Sequence, residues 1–413
     1  MSRSAFGHVL NVDDARRAAA RRLPRGLFEY IDRGSEDETS IAANRRRLDA
    51  IRLAPSVLVD VSRRSLEAEI LGHRQPLPLA IAPTAVAGLV WHDGEIALAR
   101  AAAAAGIPFC VSTQSITPIE RIAAESGARL WFQLYVWKNR QRTLALLDRA
   151  RAAGAETLVL TVDTAVTPNR EYNLRNGFGI PLQASVRAGI DLMLHPRWTA
   201  SVMLRSLIAS GVPTYAHYPE EFRTRLGRLA LSDELALATD VTWDDVRLLR
   251  QRWKGRLVLK GVLRVDDALT ALSHGVDAIV VSNHGGRNLD CAPGPTEVLP
   301  AIVEAISDRM EILADSGVRR GADIARFLAL GASGVLIGRA TLYGVAIGGA
   351  DGAGRVLDLL RHELEVTMGM LGAPGLDALR RCLNKTPAAG PCTPSSGSTD
   401  HRLPTNCASA GSI

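Results

Sequence analysis

Eight short apolar runs, each followed by an amphipathic, alanine-rich stretch, predict a (β/α)8 TIM barrel of the α/β class, with an N-terminal helical segment and a long insertion after strand 4. Two further observations agree. The runs are almost continuously hydrophobic, as parallel strands covered on both faces must be. Polar residues gather at their C-terminal ends, the face on which such barrels carry their chemistry.

The runs are, in order, P-L-A-I-A-P-T-A from Pro78, P-F-C-V-S-T from Pro108, L-W-F-Q-L-Y-V from Leu130 and T-L-V-L-T-V-D from Thr157. R-L-V-L-K-G-V from Arg256, A-I-V-V-S-N-H from Ala278, E-I-L-A-D-S-G from Glu311 and G-V-L-I-G-R from Gly334 complete the set. Between them, G-E-I-A-L-A-R-A-A-A-A-A-G and T-L-A-L-L-D-R-A-R-A-A-G read as helices, each closed by a glycine that can cap it. Ahead of the first strand, residues 1 to about 77 read as a helical region in which L-P-R-G-L-F-E-Y-I-D-R-G forms a helix ended at Gly34. The stretch from about Thr164 to Lys254 is too long for a plain strand-to-helix connection and reads as an insertion, about 164–254. One domain is expected over 1–384, followed by a Pro/Ser/Thr/Gly-rich tail, 385–413, that reads as disordered.

Composition narrows the function classes. The 413 residues are 47% hydrophobic and 22% charged, which suits a soluble domain with a large core and room for a pocket. The net charge of +6 is spread along helices, as at Arg45, Arg46 and Arg47, instead of forming one basic arm, which argues against nucleic acid as a partner and permits an anionic lipid surface. Five cysteines lack paired spacing, so neither a disulfide framework nor a metal site is expected. No secretory leader and no spanning segment is evident, which places the protein in the cytoplasm or on the cytoplasmic face of the inner membrane.

The strand ends carry the chemistry. His284 follows an apolar strand and precedes Gly285 and Gly286, so its ring should enter the barrel mouth, where an imidazole serves as a general base. A lone histidine is more often structural, but this position reverses the weighting. Asp163, at the end of the fourth strand, can orient that imidazole, although alone it could equally cap a helix. Arg170 and Arg287 lie just past strand ends and together fit a carboxylate gripped by charge-assisted hydrogen bonds; either alone could be a surface ion pair. Lys260 is buried at a strand end and needs a negative partner there. A-D-S-G-V-R-R-G and I-G-R-A supply Gly317, Arg319, Gly338 and Arg339 where such barrels commonly hold a phosphate. No glycine-rich nucleotide fingerprint follows the first strand. The residues alone therefore describe an enzyme with a phosphate-bearing cofactor that acts on a small carboxylic acid.

S-N-H-G-G-R-N-L-D closely resembles the signature of the FMN-dependent (S)-2-hydroxy acid dehydrogenases and oxidases. I-A-P-T-A, W-F-Q-L-Y-V, L-T-V-D-T, L-K-G, A-D-S-G-V-R-R-G and G-R-A-T-L-Y-G match in order from Asn11 to about Gly372. V-D-V-S-R-R-S-L-E-A-E-I-L-G, N-R-E-Y-N-L-R-N-G-F and H-P-R-W look most like the membrane-associated (S)-mandelate dehydrogenase branch, with the quinone-linked L-lactate branch next.

The resemblance implies FMN as cofactor and oxidation of a hydroxy acid to the oxo acid, with electrons passed to quinone or another acceptor. It implies that His284 removes the proton, on either a hydride or a carbanion route, and that Asp163 stabilises the imidazolium. Arg170 and Arg287 would hold the carboxylate with Tyr30, and Tyr135 would bond the hydroxyl. Lys260 would stabilise the reduced flavin. Ala85, Ser112, Gln133, Thr161 and Ser282 would line the isoalloxazine and ribityl chain, Asp315 would bind the ribityl hydroxyls, and Gly317, Arg319, Gly338 and Arg339 would bind the phosphate. The glycines beside His284 would let substrate and flavin approach. Relatives of this kind are often homotetramers.

Gln114 stands where short-chain glycolate oxidases place a tryptophan, which implies a larger or more polar substrate side chain. Ala85 stands where membrane dehydrogenases often have glycine and soluble oxidases alanine, which leaves both quinone and oxygen open as acceptors. The leucines, methionines and arginines of I-D-L-M-L-H-P-R-W-T-A-S-V-M-L-R-S-L-I-A-S-G fit either a membrane-interface segment or a lid over the barrel mouth. An FMN barrel isomerase leaves Arg170 and Arg287 without purpose, and a non-catalytic flavin-binding protein has no need of His284 with Asp163.

Overall fold

The computed structural model describes residues 6–178, 186–219 and 233–383. The chain enters through helices α1 (Val12–Arg22), α2 (Arg25–Asp32) and α3 (Thr39–Ala50), then a hairpin of β1 (Ala68–Ile70) and β2 (His73–Gln75). β3 (Leu79–Ile81) opens the repeat, followed by α4 (Ala87–Val90), α5 (Gly94–Ala104), β4 (Phe109–Ser112), α6 (Ile119–Ser126), β5 (Leu130–Leu134), α7 (Arg140–Ala152) and β6 (Thr157–Thr161). The insertion carries α8 (Glu171–Asn176), α9 (Val186–Leu194), α10 (Pro196–Trp198) and α11 (Arg205–Ser210). The repeat resumes with α12 (Trp243–Arg252), β7 (Arg256–Val262), α13 (Val265–Ser273), β8 (Ala278–Val281), α14 (Pro295–Ile306), β9 (Glu311–Ala314), α15 (Gly321–Ala329), β10 (Gly334–Ile337) and α16 (Arg339–Leu371).

All eight predicted runs are strands, and they close in the order β10-β3-β4-β5-β6-β7-β8-β9. Closure is parallel pairing of β10 with β3, Val335 opposite Leu79 and Ile337 opposite Ile81. The side-chain period of two then sorts each strand between two cores. Outward residues such as Leu79, Phe109, Phe132 and Leu160 pack under the helices. Inward residues, among them Ala80, Cys110, Trp131, Val159, Val258, Val280 and Leu336, fill the barrel itself. Both faces are covered, which is why the strands read as unbroken apolar runs.

Two expectations need correction. The segment before the first strand is not helical throughout: β1 and β2 form a hairpin whose tip packs Ile70, the last residue of β1, and the turn residue Leu71 into the inward core and seals the N-terminal end of the barrel. Leu71 and Gly72 both take positive φ, 53° and 80°, the backbone that a tight hairpin turn requires. The insertion is also shorter than 164–254, because α12 is the ordinary barrel helix after the fourth barrel strand, begun by a capping box at Thr242. The 385–413 tail lies outside the described residues.

Glu311, at the start of β9, accepts the Leu71 N–H at 2.8 Å, while its other carboxyl oxygen is buried without a partner. Burial pushes its pKa up to about 7, against the Leu71 N–H and Arg256. A raised folded-state pKa means that the protonated form stabilises the fold. That contribution is complete below the unfolded value and is lost as pH rises through about 7. Urea midpoints at pH 5 and pH 8.5 should therefore differ less in Glu311→Gln than in the parent; equal differences would show that Glu311 is not the titrating group.

Candidate active site

His284 leaves β8 in the left-handed region, φ 57°, with its backbone N–H bonded to Ser282 Oγ at 3.0 Å. That strained turn brings the ring to the cavity wall. Nδ1 lies 3.0 and 3.2 Å from the two Asp163 carboxylate oxygens. An ionised carboxylate only accepts, so the proton sits on Nδ1 and Nε2 keeps its lone pair. Burial lowers the pKa of His284 while Asp163 opposes the shift, and the net direction is down. Burial raises that of Asp163, but His284 and Lys260 outweigh it and hold the carboxyl ionised. Asp163 is therefore the imidazole's partner and not a helix cap.

Residues that the sequence did not single out brace this pair. Thr164 Oγ1 donates to Asp163 Oδ1 at 3.2 Å, and Asn288 donates to the Asp163 carbonyl at 2.9 Å and to Thr164 Oγ1 at 2.8 Å. Gly261, φ 109°, has no Cβ because one would lie 2.5 Å from that of Asp163.

Five cations surround the cavity: Arg170, Lys260, Arg287, Arg319 and Arg339. Arg287 Nη1 donates to the carbonyls of Tyr30 at 2.7 Å and Arg33 at 3.0 Å, and its guanidinium lies 5.3 Å from the Tyr30 ring centroid. Arg170 in turn donates to the Arg287 carbonyl at 3.2 and 3.0 Å. Arg339 bonds the carbonyls of Ile31, Gly285 and Arg33 at 2.8 to 3.1 Å. Burial, with Arg287 repelling, brings its pKa down to about 9. Lys260 Nζ bonds Ser282 Oγ at 2.9 Å and pairs with Asp315 at 3.0 Å. Burial lowers its pKa, but Asp315 and Asp163 more than compensate.

Every predicted site residue lines this one cavity except Asp163 and Ser282. Asp163 stands behind His284. Ser282 is fully buried behind the wall, where its hydroxyl accepts from Lys260 Nζ and from the His284 backbone N–H. The two glycines also serve the protein's own packing. A Cβ on Gly285, φ 66°, would lie 2.5 Å from Arg339, and one on Gly286, φ 72°, would lie 2.6 Å from the Ile41 nitrogen. Ser316, missed from sequence, joins the two ends of the site: it donates to Asp315 at 2.8 Å and accepts the Gly285 N–H at 3.0 Å.

The insertion packs behind the cavity wall through Tyr215, Ala216, His217 and Tyr218, with the Ala216 N–H donating to the Ser115 carbonyl at 3.0 Å. Ile119 N–H donates to His217 Nε2 at 3.1 Å, so Nδ1 carries the proton and donates to the Ser112 carbonyl at 3.0 Å. Burial and Arg149 push the His217 pKa down to about 4. Tyr218 packs edge-on against Trp137 at 5.1 Å and is hydrogen-bonded to the cavity residue Gln114. Only the fold brings this tetrad to β4; no sequence spacing signals it.

A sequence model of FMN-dependent dehydrogenases matches residues 19–385. The chain belongs to the FMN-dependent dehydrogenase family. It is 42% identical to (S)-mandelate dehydrogenase of Pseudomonas putida over 90% of this chain and 93% of that protein. It is also 42% identical to L-lactate dehydrogenase of Caulobacter vibrioides, over 92% of this chain and all of that one. The crystal structure of monotopic membrane protein (S)-mandelate dehydrogenase superposes with a TM-score of 0.86 at 41% identity, covering 92% of this chain and 100% of that one.

The cavity fits the cofactor of this family. Thr84 Oγ1, Gln133 Nε2 and Thr161 Oγ1 are buried polar atoms without a protein partner, and all three residues line it. Unpaired buried groups are costly, so such a row is matched to a polar-edged ligand. At the far end, Gly317, the N-terminus of α16 at Gly338 and two spare N–H donors on Arg339 would take a phosphate.

The Lys260–Asp315 pair is nearly inaccessible to solvent. Breaking such a pair leaves a buried charge, so in the flavin-free protein Lys260→Met should cost about 3–5 kcal/mol in denaturant unfolding. Lys260→Met with Asp315→Asn should recover part of that loss; additive losses would show that the pair is not coupled.

Proposed function

We propose that this chain oxidises an (S)-2-hydroxy acid to the 2-oxo acid, an aryl acid of the mandelate type being favoured, and passes the electrons through FMN to a quinone. The single observation that carries this reading is the geometry of His284 on Asp163 in the cavity that Arg170 and Arg287 also line. Bound FMN supplies the two-electron acceptor; the chain supplies the rest.

Arg170 and Arg287 grip the substrate carboxylate, and Tyr30 shapes that end of the pocket. Tyr135, kept protonated by burial and Asp163, which push its pKa up to about 12, donates to the substrate hydroxyl. Nε2 of His284 takes the proton, and Asp163 holds the resulting imidazolium. Lys260 keeps a buried positive charge where negative charge accumulates on the ring. Ala85, Ser112, Gln133 and Thr161 line the cofactor, Asp315 meets its ribityl hydroxyls, and Gly317, Arg319, Gly338 and Arg339 take its phosphate. Gln114, held by Tyr218, faces the substrate side chain, and its polar, unbranched shape leaves room for an aryl group. The lactate relative favours a second reading, in which L-lactate is the substrate.

Membrane attachment is part of the proposal. Among the described residues no helix is long and apolar enough to cross a membrane. The insertion instead exposes Met193 (74%), Leu194 (73%), Leu204 (53%) and Ile208 (79%) beside Arg197 and Arg205, a pattern suited to an interface. The same reading carries a homotetramer at the cytoplasmic face, which light scattering in detergent and protease access to oriented vesicles would check.

Anaerobic (S)-mandelate should bleach the flavin band rapidly; bleaching by L-lactate alone would move the assignment to the second reading. His284→Ala should keep FMN and abolish bleaching, and retained reduction would remove the mechanism. Because the base acts neutral and its pKa lies below the ordinary histidine value, kcat/KM should fall on the acid side below about pH 6.5. Asp163→Asn removes the group that raises that pKa, so the acid limb should move lower still as the rate drops; an unmoved limb would assign the titration elsewhere. Replacing Met193, Leu194 and Ile208 by Asp should shift the protein from vesicles to the soluble fraction, and unchanged partition would sink the membrane proposal.

A further inference from the structure

A second cavity, of about 440 Å³, lies against the first on the flank of the barrel mouth. Its volume is in the range of about 300–1,000 Å³ common to small-molecule sites. Tyr135 and Thr161 belong to both cavities, so one layer of side chains separates them. The Thr161 hydroxyl in that layer is buried without a protein partner.

The two cavities differ in charge. The first is lined by five cationic side chains, whereas Asp267 is the only charged residue lining the second among the described residues. Its walls are apolar, with Val136, Leu237, Val241 and Val262 among them, and Thr239 and Thr242 add hydroxyls. An anion entering here meets no cation, and a folded protein cannot enter a cleft this size. A neutral ring compound whose oxygens accept hydrogen bonds satisfies both the walls and the threonines.

We infer that this cavity is the docking site of the electron acceptor, a neutral quinone held one side chain away from the flavin cavity. The inference rests on the function proposed above. The balance closes: oxidation of the hydroxy acid to the oxo acid releases two electrons and two protons. The quinone takes both electrons and both protons and leaves as the neutral quinol. The hydroxy acid and the quinone then occupy separate sites, so neither has to leave before the other binds.

Val241 is half-buried and Ala165 is exposed at this cavity, so Val241→Trp and Ala165→Trp fill it from two sides without touching the first site. In stopped flow, bleaching by the hydroxy acid should be unchanged in both variants, and reoxidation by a short-chain benzoquinone should slow by roughly tenfold or more. Reoxidation by ferricyanide, a small hydrophilic anion, should stay as in the parent. Titration calorimetry of the same benzoquinone into oxidised holoprotein, without hydroxy acid, should give one site that Val241→Trp removes. Quinone reoxidation or binding unchanged in both variants, or equal slowing with ferricyanide, would overturn the inference alone. Failure of any hydroxy acid to bleach the parent would overturn the proposed function and this site with it.

Discussion

The rest of the site depends on an excess of positive charge, one buried lysine and four half-buried arginines, around one cavity. Arg170, Lys260, Arg287, Arg319 and Arg339 surround one cavity, and Asp163 and Asp315 are the carboxylates set among them. Asp163 is committed to His284 and Asp315 to Lys260. The arginines bond to backbone carbonyls, which satisfy N–H groups but do not cancel charge. The imbalance is visible in Arg339, where burial and the neighbouring Arg287 and Arg319 depress the pKa. A protein interior holds such an excess only if ligands bring the missing negative charge. A phosphate at one end and a carboxylate at the other would do so, and the resident lysine would answer the charge that a ring gains on reduction.

That constraint explains what was legible from sequence. The barrel could be read because parallel strands buried on both faces must be continuously apolar and must be followed by helices, and all eight runs became strands. The site residues could be read because closure places eight strand ends in one ring, so a polar residue ending an apolar run has one place to go. His284, Lys260, Asp315 and Arg339 all follow that logic.

The misses share a different cause. The β1–β2 hairpin is too short for periodicity to register, and its role depends on the open end of a barrel that forms hundreds of residues later. The bracing contacts of Ser282, to Lys260 and to the His284 backbone, depend on the positive φ at which the chain turns after β8, which no local pattern reveals. Asn288, Thr164 and Ser316 act through other side chains, and such contacts join loops that no local pattern connects. The same holds for Tyr218 on Gln114, where the insertion bears on a residue of the cavity wall.

Charge also distinguishes the two cavities, and on the proposed reading it would separate the two ends of the redox reaction in space. The cationic cavity would hold a neutral quinone poorly, and the apolar cavity beside it would hold a hydroxy acid poorly, since Asp267 would repel a carboxylate. Tyr135 and Thr161 stand between them, thin enough for electrons to cross and, with the Tyr135 phenol kept protonated, without a fixed charge to oppose the transfer. On the proposed reading, the exposed apolar side chains of α9 and α11 would give this arrangement its supply, because a quinone dissolved in a bilayer is concentrated at the surface those side chains would enter.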